Sequence, residues 1–348
     1  MRSLLLVPDK FFPLVLVLFL VPSLPASEST PSSFIKGVTV SCQTYGWEWA
    51  TPEMSRTLDE LKSLGVNSIA IHPYAQIRND GHVRFRNDDN FTYISTPLDW
   101  ARERGMSVML IPHIAYWGTK FLWRGEINFQ TKEEWDCFFA DYETWIVQMA
   151  TIAEAHGAGI FCIGLEFTYA QKFDARWRKI IASIRRVYHG KLTYGGNWDS
   201  FQEVTFWDAL DYIGALAYFP LTKTDNPNRA EIASAWDRKC AELTAYAKTH
   251  GDKKFLFVEI GYNVSARAAA EPWAFKMGGD HAEEVQQRCI DVALDLPRRC
   301  PTIAGMYWWK WFPELPNPEE ENYKLQTPAI KALIAKHWKE ATPAAGAD

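Results

Sequence analysis

At 348 residues with 47% hydrophobic content, the chain is long and apolar enough to bury a substantial core, which excludes an intrinsically disordered protein. A formal net charge of −5, a pI near 6.0 and the absence of any dense Lys/Arg run exclude nucleic acid and other polyanions as partners. The 16 Trp and 14 Tyr are unusual in number; most such rings belong to cores, but those in loops suit stacking on the apolar faces of sugar rings.

Residues 1–27 read as an export signal. Arg2 supplies the positive start, residues 11–21 the apolar stretch, and Leu24-Pro25-Ala26 a small residue at a cleavage point. The stretch contains Pro13 and is short for a bilayer span, so a secreted or periplasmic protein beginning near Ser27 is expected, with no membrane segment left after cleavage.

Past the signal, short apolar or β-branched runs alternate with longer segments of helical spacing, the pattern of a parallel sheet with crossover helices. Runs at 37–42, 68–72, 107–112, 159–165, 192–196, 212–217, 254–258 and 303–308 predict eight strands. Each but the last is followed by a helix-like segment, and 327–336 predicts a closing helix. Between 133 and 155 an apolar stripe runs through Trp135, Phe138, Tyr142, Trp145, Met149 and Ile152, with Gly157 as a stop; Trp177, Ile180, Ile181 and Ile184 repeat the logic before Gly190. Eightfold alternation predicts an α/β fold, a single (β/α)8 TIM barrel over 34–338, in which the loops after strands build the active face. Here those loops, at 74–93, 114–131 and 220–228, are long and aromatic. The Ala/Gly-rich tail, 339–348, is expected to be disordered. The six cysteines lack CxxC spacing, and any disulfide is expected among Cys240, Cys289 and Cys300.

Two glutamates end strand-like runs: Glu166 after Ile160-Phe161-Cys162-Ile163-Gly164-Leu165, and Glu259 after Phe255-Leu256-Phe257-Val258. Desolvating a carboxylate there is unfavourable unless it faces a cavity or a partner. Either Glu alone reads equally well as a surface residue opening a loop; both together, on candidate strands 4 and 7, indicate one cleft. By strict alternation Glu166 shares its side with Gly164 and Cys162, and Glu259 with Phe257. Paired carboxylates are the equipment of glycoside hydrolysis.

The layout resembles the clan A glycoside hydrolases and, more narrowly, glycoside hydrolase family 113. The similar stretches are Val108-Met109-Leu110-Ile111-Pro112-His113-Ile114, Trp123-Arg124-Gly125-Glu126-Ile127, Phe161-Cys162-Ile163-Gly164-Leu165-Glu166, Leu192-Thr193-Tyr194-Gly195-Gly196-Asn197-Trp198-Asp199, Phe257-Val258-Glu259-Ile260-Gly261-Tyr262 and Tyr307-Trp308-Trp309-Lys310-Trp311. The resemblance covers residues 34–338. It implies a retaining β-mannanase in which Glu166 is the acid/base and Glu259 the nucleophile, with the charge of Glu259 keeping a proton on Glu166. One departure stands out: most of the clan carries Asn before the acid/base Glu, to hold the sugar 2-hydroxyl, and this chain has Leu165. Asn197 is the candidate substitute, with a turn-forming Asn as the alternative.

Tyr218, ending strand 6 before Pro220, is placed to orient Glu259. His113 is a candidate for substrate hydroxyls, although a lone His is more often structural. Trp309, Trp311, Trp198, Trp117 and Trp47 are candidate sugar platforms. Arg78, Arg124 and Lys310 lie in the same loops, each read first as a solvated charge. No HExxH or His-x-His pair and no glycine-rich phosphate loop occurs, so no cofactor or metal is expected. The expectation is an exported, monomeric, retaining endo-β-1,4-mannanase acting on β-mannan. The alternatives are a hydrolase of another β-glycan, glucan or xylan, and an inactive polysaccharide-binding barrel.

Overall fold

The computed structural model describes residues 34–86, 91–275, 277–314 and 322–339. The expected export signal and all of the expected tail except Lys339 lie outside the described residues. In chain order the elements are β1 (Ile35–Val40), α1 (Pro52–Ser63), β2 (Ser68–Ile71), β3 (Tyr74–Ile77), β4 (Val83–Arg84), α2 (Thr92–Glu103), β5 (Ser107–Leu110), β6 (His113–Ala115), α3 (Lys132–Ala155), β7 (Ile160–Leu165), α4 (Asp174–Arg185), β8 (Lys191–Asn197), β9 (Ile213–Leu216), α5 (Arg229–Thr249), β10 (Phe255–Ile260), α6 (Ala282–Leu294), α7 (Leu296–Arg299), β11 (Ile303–Trp311) and α8 (Pro328–Trp338).

Eight strands close a barrel in the order β1, β11, β10, β9, β8, β7, β5, β2, every pair parallel, so the chain forms the expected (β/α)8 architecture. Local chemistry fixes the helix ends. Thr131 and Glu134 make a capping box on α3, Asn228 and Glu231 do the same on α5, and Thr327 caps α8 with Pro328 in its first turn.

Two features depart from the sequence reading. After β8 there is no α-helix, only short 3-10 turns at Phe201–Glu203 and Trp207–Ala209. Phe201, Val204, Phe206, Trp207 and Leu210 are buried there and cover the barrel directly. The loops after β2 and β5 hold a second small sheet in which β3 pairs with both β4 and β6. Strands of two to four residues are too short for period-2 patterning to register.

The core has two layers. Outside the strands, Trp177 is fully buried among Tyr142, Phe167, Tyr194 and Phe206. Inside, the lumen is filled by residues such as Ala70, Met109, Cys162, Leu165, Leu216, Val258 and Tyr307. Gly195 makes room for this filling: a Cβ there would lie 2.7 Å from the Leu165 Cβ and 3.1 Å from Val258 Cγ2. All six cysteines are free thiols, so the expected bridge is not formed. A core of this size holds the fold without a crosslink. Among the described residues no helix is long and apolar enough to cross a membrane.

Candidate active site

Strict alternation fails at both glutamates, and for the same reason. In β7 both Cys162 and Leu165 face the lumen while Gly164 lies against Trp177 and Tyr142, because the register against β8 shifts between Cys162 and Leu165. Glu166 follows with a left-handed φ of 62°, its N–H donating to the Gly195 carbonyl at 2.9 Å. Such a φ is uncommon for Glu and persists where the surroundings impose it. In β10, Phe257 packs outward against Phe219 and Trp236, and the register against both neighbours shifts just after it. Glu259 therefore does not share the side of Phe257 but turns to the cleft. Irregularities of this kind re-aim side chains beside active sites.

The two carboxyls are held differently. The Tyr218 hydroxyl donates to Glu259 Oε2 at 2.9 Å. Glu166 pairs through Oε2 with the Arg124 guanidinium, whose Nε donates to the Ile114 carbonyl at 2.9 Å and whose Nη2 donates to His113 Nδ1 at 2.9 Å. The far nitrogen of His113, Nε2, lies 3.8 Å from Glu259 Oε1. A chain of contacts thus runs from Glu166 through Arg124 and His113 to Glu259. The His113 ring stacks on His72 at 4.7 Å and on Trp309 at 6.0 Å. Arg124, read from sequence as a solvated charge, is a half-buried partner of Glu166.

Burial is unequal: the side chain of Glu259 is 7% exposed and that of Glu166 19%. Desolvation, followed by the neighbouring charge of Glu166, pushes the Glu259 carboxyl up to about 8. The two carboxyls thus sit in different surroundings: Glu166 has the Arg124 cation against it, and Glu259 is the more deeply buried. Burial, then Arg124 and His72, hold His113 well below the ordinary imidazole range, so it is neutral. Burial and the Glu259 charge hold Tyr218 well above the phenol range, so it remains a donor.

The remaining candidates divide. Asn197 is buried at the carboxyl end of β8, its amide 3.4 Å from Thr168 Oγ1. Trp198, half-buried, stacks on Trp273 at 4.9 Å and 21°. Trp309 is half-buried with the Lys310 ammonium 5.3 Å from its ring. Trp117, 47% exposed, packs against Tyr74 and Tyr45. Trp47, equally exposed, lies on Tyr93 under the Arg86 guanidinium. Trp311 does not fit its expected role: it is fully buried in the core, with Lys331 over its ring, and offers no face to a sugar. Arg78 pairs with Asp80 at the surface. Glu48 accepts from the Gln43 and Thr44 backbone and shapes its loop. Sequence reasoning missed His72, Trp273 and the part played by Arg124; the position of Arg124 within a family-like stretch was the available signal for the last. Among the described residues no cluster of His, Cys, Asp or Glu could hold a metal ion.

Two carboxyls of unequal burial at the carboxyl ends of barrel strands are suited to moving a proton and a glycosyl group, and the barrel is that of a glycoside hydrolase. Residues 38–326 match the model of Glycoside Hydrolase Family 113, and the chain belongs to that family. Among solved structures it is similar to a GH113 β-1,4-mannanase complex at 24% identity, covering 88% of this chain and 99% of that one with a TM-score of 0.76. It is also similar to the GH113 β-mannanase AaManA from Alicyclobacillus acidocaldarius, at 24% identity, 88% and 97% coverage and a TM-score of 0.75. A more distant likeness is to GH5_18 from Bifidobacterium longum subsp. longum, at 13% identity, 91% and 81% coverage and a TM-score of 0.59. At these identities the likeness concerns the fold. No curated protein matches the chain.

Proposed function

We propose that this glycoside hydrolase is an exported, monomeric, retaining endo-β-1,4-mannanase, with Glu259 as nucleophile and Glu166 as acid/base. The observation that carries the reading is the pairing of a deeply buried Glu259, held by Tyr218, with a Glu166 held by Arg124. Burial favours the protonated form of Glu259, whereas the chemistry needs Glu259 ionised and a proton on Glu166. Substrate supplies the difference: a glycosidic oxygen beside Glu166 requires a donor, and the electron-poor anomeric carbon beside Glu259 favours the carboxylate. Glu259 then attacks the anomeric carbon as Glu166 protonates the departing oxygen, giving a glycosyl-enzyme. Glu166, now a carboxylate beside its Arg124 partner, takes a proton from water; that water attacks the same carbon and releases Glu259.

The mannan preference is supported by family membership and by the mannanases among the similar structures. Trp198, Trp309, Trp117 and Trp47 are proposed as sugar platforms. Asn197 is proposed to stand in for the Asn that Leu165 replaces, since Leu165 faces the packed lumen and reaches no sugar. Fold likeness does not by itself set the glycan. Purified protein incubated with mannan, glucomannan, xylan and mixed-linkage glucan is expected to release reducing ends fastest from mannan. Faster release from xylan or glucan would reassign the substrate, and no release from any would leave a binding barrel. Cleavage near Ser27 is checked by sequencing the amino terminus of protein recovered outside the cytoplasm.

A further inference from the structure

The mechanism above leaves a buried group unused. His113 is wholly buried, and its Nε2 has no hydrogen-bond partner among the described residues. Which nitrogen bears hydrogen follows from its neighbour. A guanidinium has donors only, so the 2.9 Å contact from Arg124 Nη2 requires a bare lone pair on Nδ1. A neutral imidazole has one N–H, and it must then be on Nε2. That N–H lies 3.8 Å from Glu259 Oε1, outside hydrogen-bond reach but with its donor on the acceptor's side. Tyr218 holds the other oxygen, Oε2.

We propose that Arg124 locks His113 in the Nε2–H form, making His113 the second donor for the Glu259 carboxylate, opposite Tyr218. This rests on the reading of Glu259 as the group that must ionise. Burial favours the protonated form of Glu259, a protonated carboxyl has little need of the bond, and the 3.8 Å separation fits that form. When Glu259 ionises, the separation closes and each carboxylate oxygen has one donor. Arg124 is the positioning residue of the pair, since the same guanidinium binds Glu166 and sets the tautomer that serves Glu259. The His113 ring packs against both His72 and Trp309, which also touch each other at 5.4 Å, so its position is restricted by a three-ring cluster. The groups facing Glu259 are the cations Arg124 and Lys310, the phenols of Tyr74, Tyr218 and Tyr323, the Cys162 thiol and Glu166. Among the described residues Glu166 is the one other carboxylate of this group, so the test varies His113 alone.

The test is a direct titration of Glu259 by NMR on the full chain labelled with 13C at glutamate carboxyls, the signal assigned by its loss in Glu259→Gln. Two variants are compared with the unsubstituted protein: His113→Phe, which keeps the ring stack and removes the donor, and His113→Gln, which keeps an amide N–H. The expected result is a Glu259 midpoint about one pH unit higher in His113→Phe, since a hydrogen bond to a charged group is worth about that much, and a return toward the original value in His113→Gln. In parallel, 15N spectra of the unsubstituted protein are expected to show a bare Nδ1 and a protonated Nε2 at residue 113. An unmoved midpoint in His113→Phe, or a proton on Nδ1, overturns the proposal. Neither reading needs turnover, so a failure of the His113 donor proposal and a failure of the glycosidase assignment are told apart by whether mannan is cleaved.

Discussion

At the scale of single residues, the burial of Glu259 has opposite consequences for activity and stability. Glu259→Gln removes the nucleophile and is expected to lower kcat on mannan by on the order of 10⁴-fold or more; near-normal turnover would reassign the roles. The same substitution is expected to stabilise the fold. The folded carboxyl is raised to about 8 from an ordinary value of 4.5, so the unfolded chain releases its proton first as pH rises. The stability present below about pH 4.5 is then lost progressively up to about pH 8. Thermal unfolding should therefore show Glu259→Gln matching the original protein near pH 4.5 and exceeding it increasingly toward pH 8; a constant difference across that range would rule out the buried carboxyl as its source. The same value places the basic limb of kcat/KM near pH 8, where the acid pair gives up its one proton. Tyr218→Phe removes the donor to Oε2 and is expected to lower kcat about 10²-fold with KM little changed, which steady-state kinetics on a defined mannooligosaccharide would show.

At the scale of elements, the register shifts in β7 and β10 place the two carboxyls. The β7 shift depends on close packing between Leu165 and Gly195, where a Cβ has no room. Gly195→Ala is expected to destabilise the barrel by about 1–3 kcal/mol, seen as a lower urea midpoint at unchanged m; an unchanged midpoint would mean that β7 and β8 can separate at no cost. The loop after β10 contributes Trp273, stacked on Trp198 at the rim. Trp273→Ala is expected to raise KM for long oligosaccharides about tenfold and leave kcat near its original value, the worth of roughly one stacked ring.

These elements also show what the sequence makes legible. All eight barrel strands and both glutamates are readable because continuous apolar runs and their terminal charges survive in one dimension. The register shifts are not, since they depend on how one strand packs against its neighbours, and strict alternation therefore pairs Glu259 with the outward Phe257 and Glu166 with the outward Gly164 as well as the inward Cys162. Arg124 was misread because a charged residue in a loop is usually solvated, and nothing local shows that it will be folded inward onto Glu166 and His113. Trp311 erred in the other direction: aromatic clusters after a strand look the same whether they line a cleft or fill a core. The missing helix after β8 has the same origin, for its apolar residues are present but packed through 3-10 turns.

At the scale of the whole molecule, a closed parallel barrel with a two-layer core needs no covalent crosslink, and its six cysteines are free. The thermal midpoint is accordingly expected to be the same with and without reductant, within about 1 °C; a fall on reduction would reveal a bridge, with the neighbouring Cys240 and Cys300 thiols as the first place to look. Two stretches, Asn90-Phe91-Thr92 and Asn263-Val264-Ser265, have the Asn-x-Ser/Thr pattern of glycosylation acceptors; Asn90 lies outside the described residues, while Asn263 is buried with its amide donating to the Ala274 and Glu271 carbonyls and so is closed to modification in the folded state. What the barrel does for catalysis is to bring residues far apart in sequence into one desolvated site, with a cation and a phenol assigned to different members of the acid pair. The most direct test follows the configuration at the anomeric carbon, by NMR, during the first minutes of mannohexaose hydrolysis. Attack by Glu259 followed by attack of water predicts that the β-anomer appears first and only later equilibrates with α; initial release of the α-anomer would mean a single displacement by water and would contradict a nucleophilic Glu259.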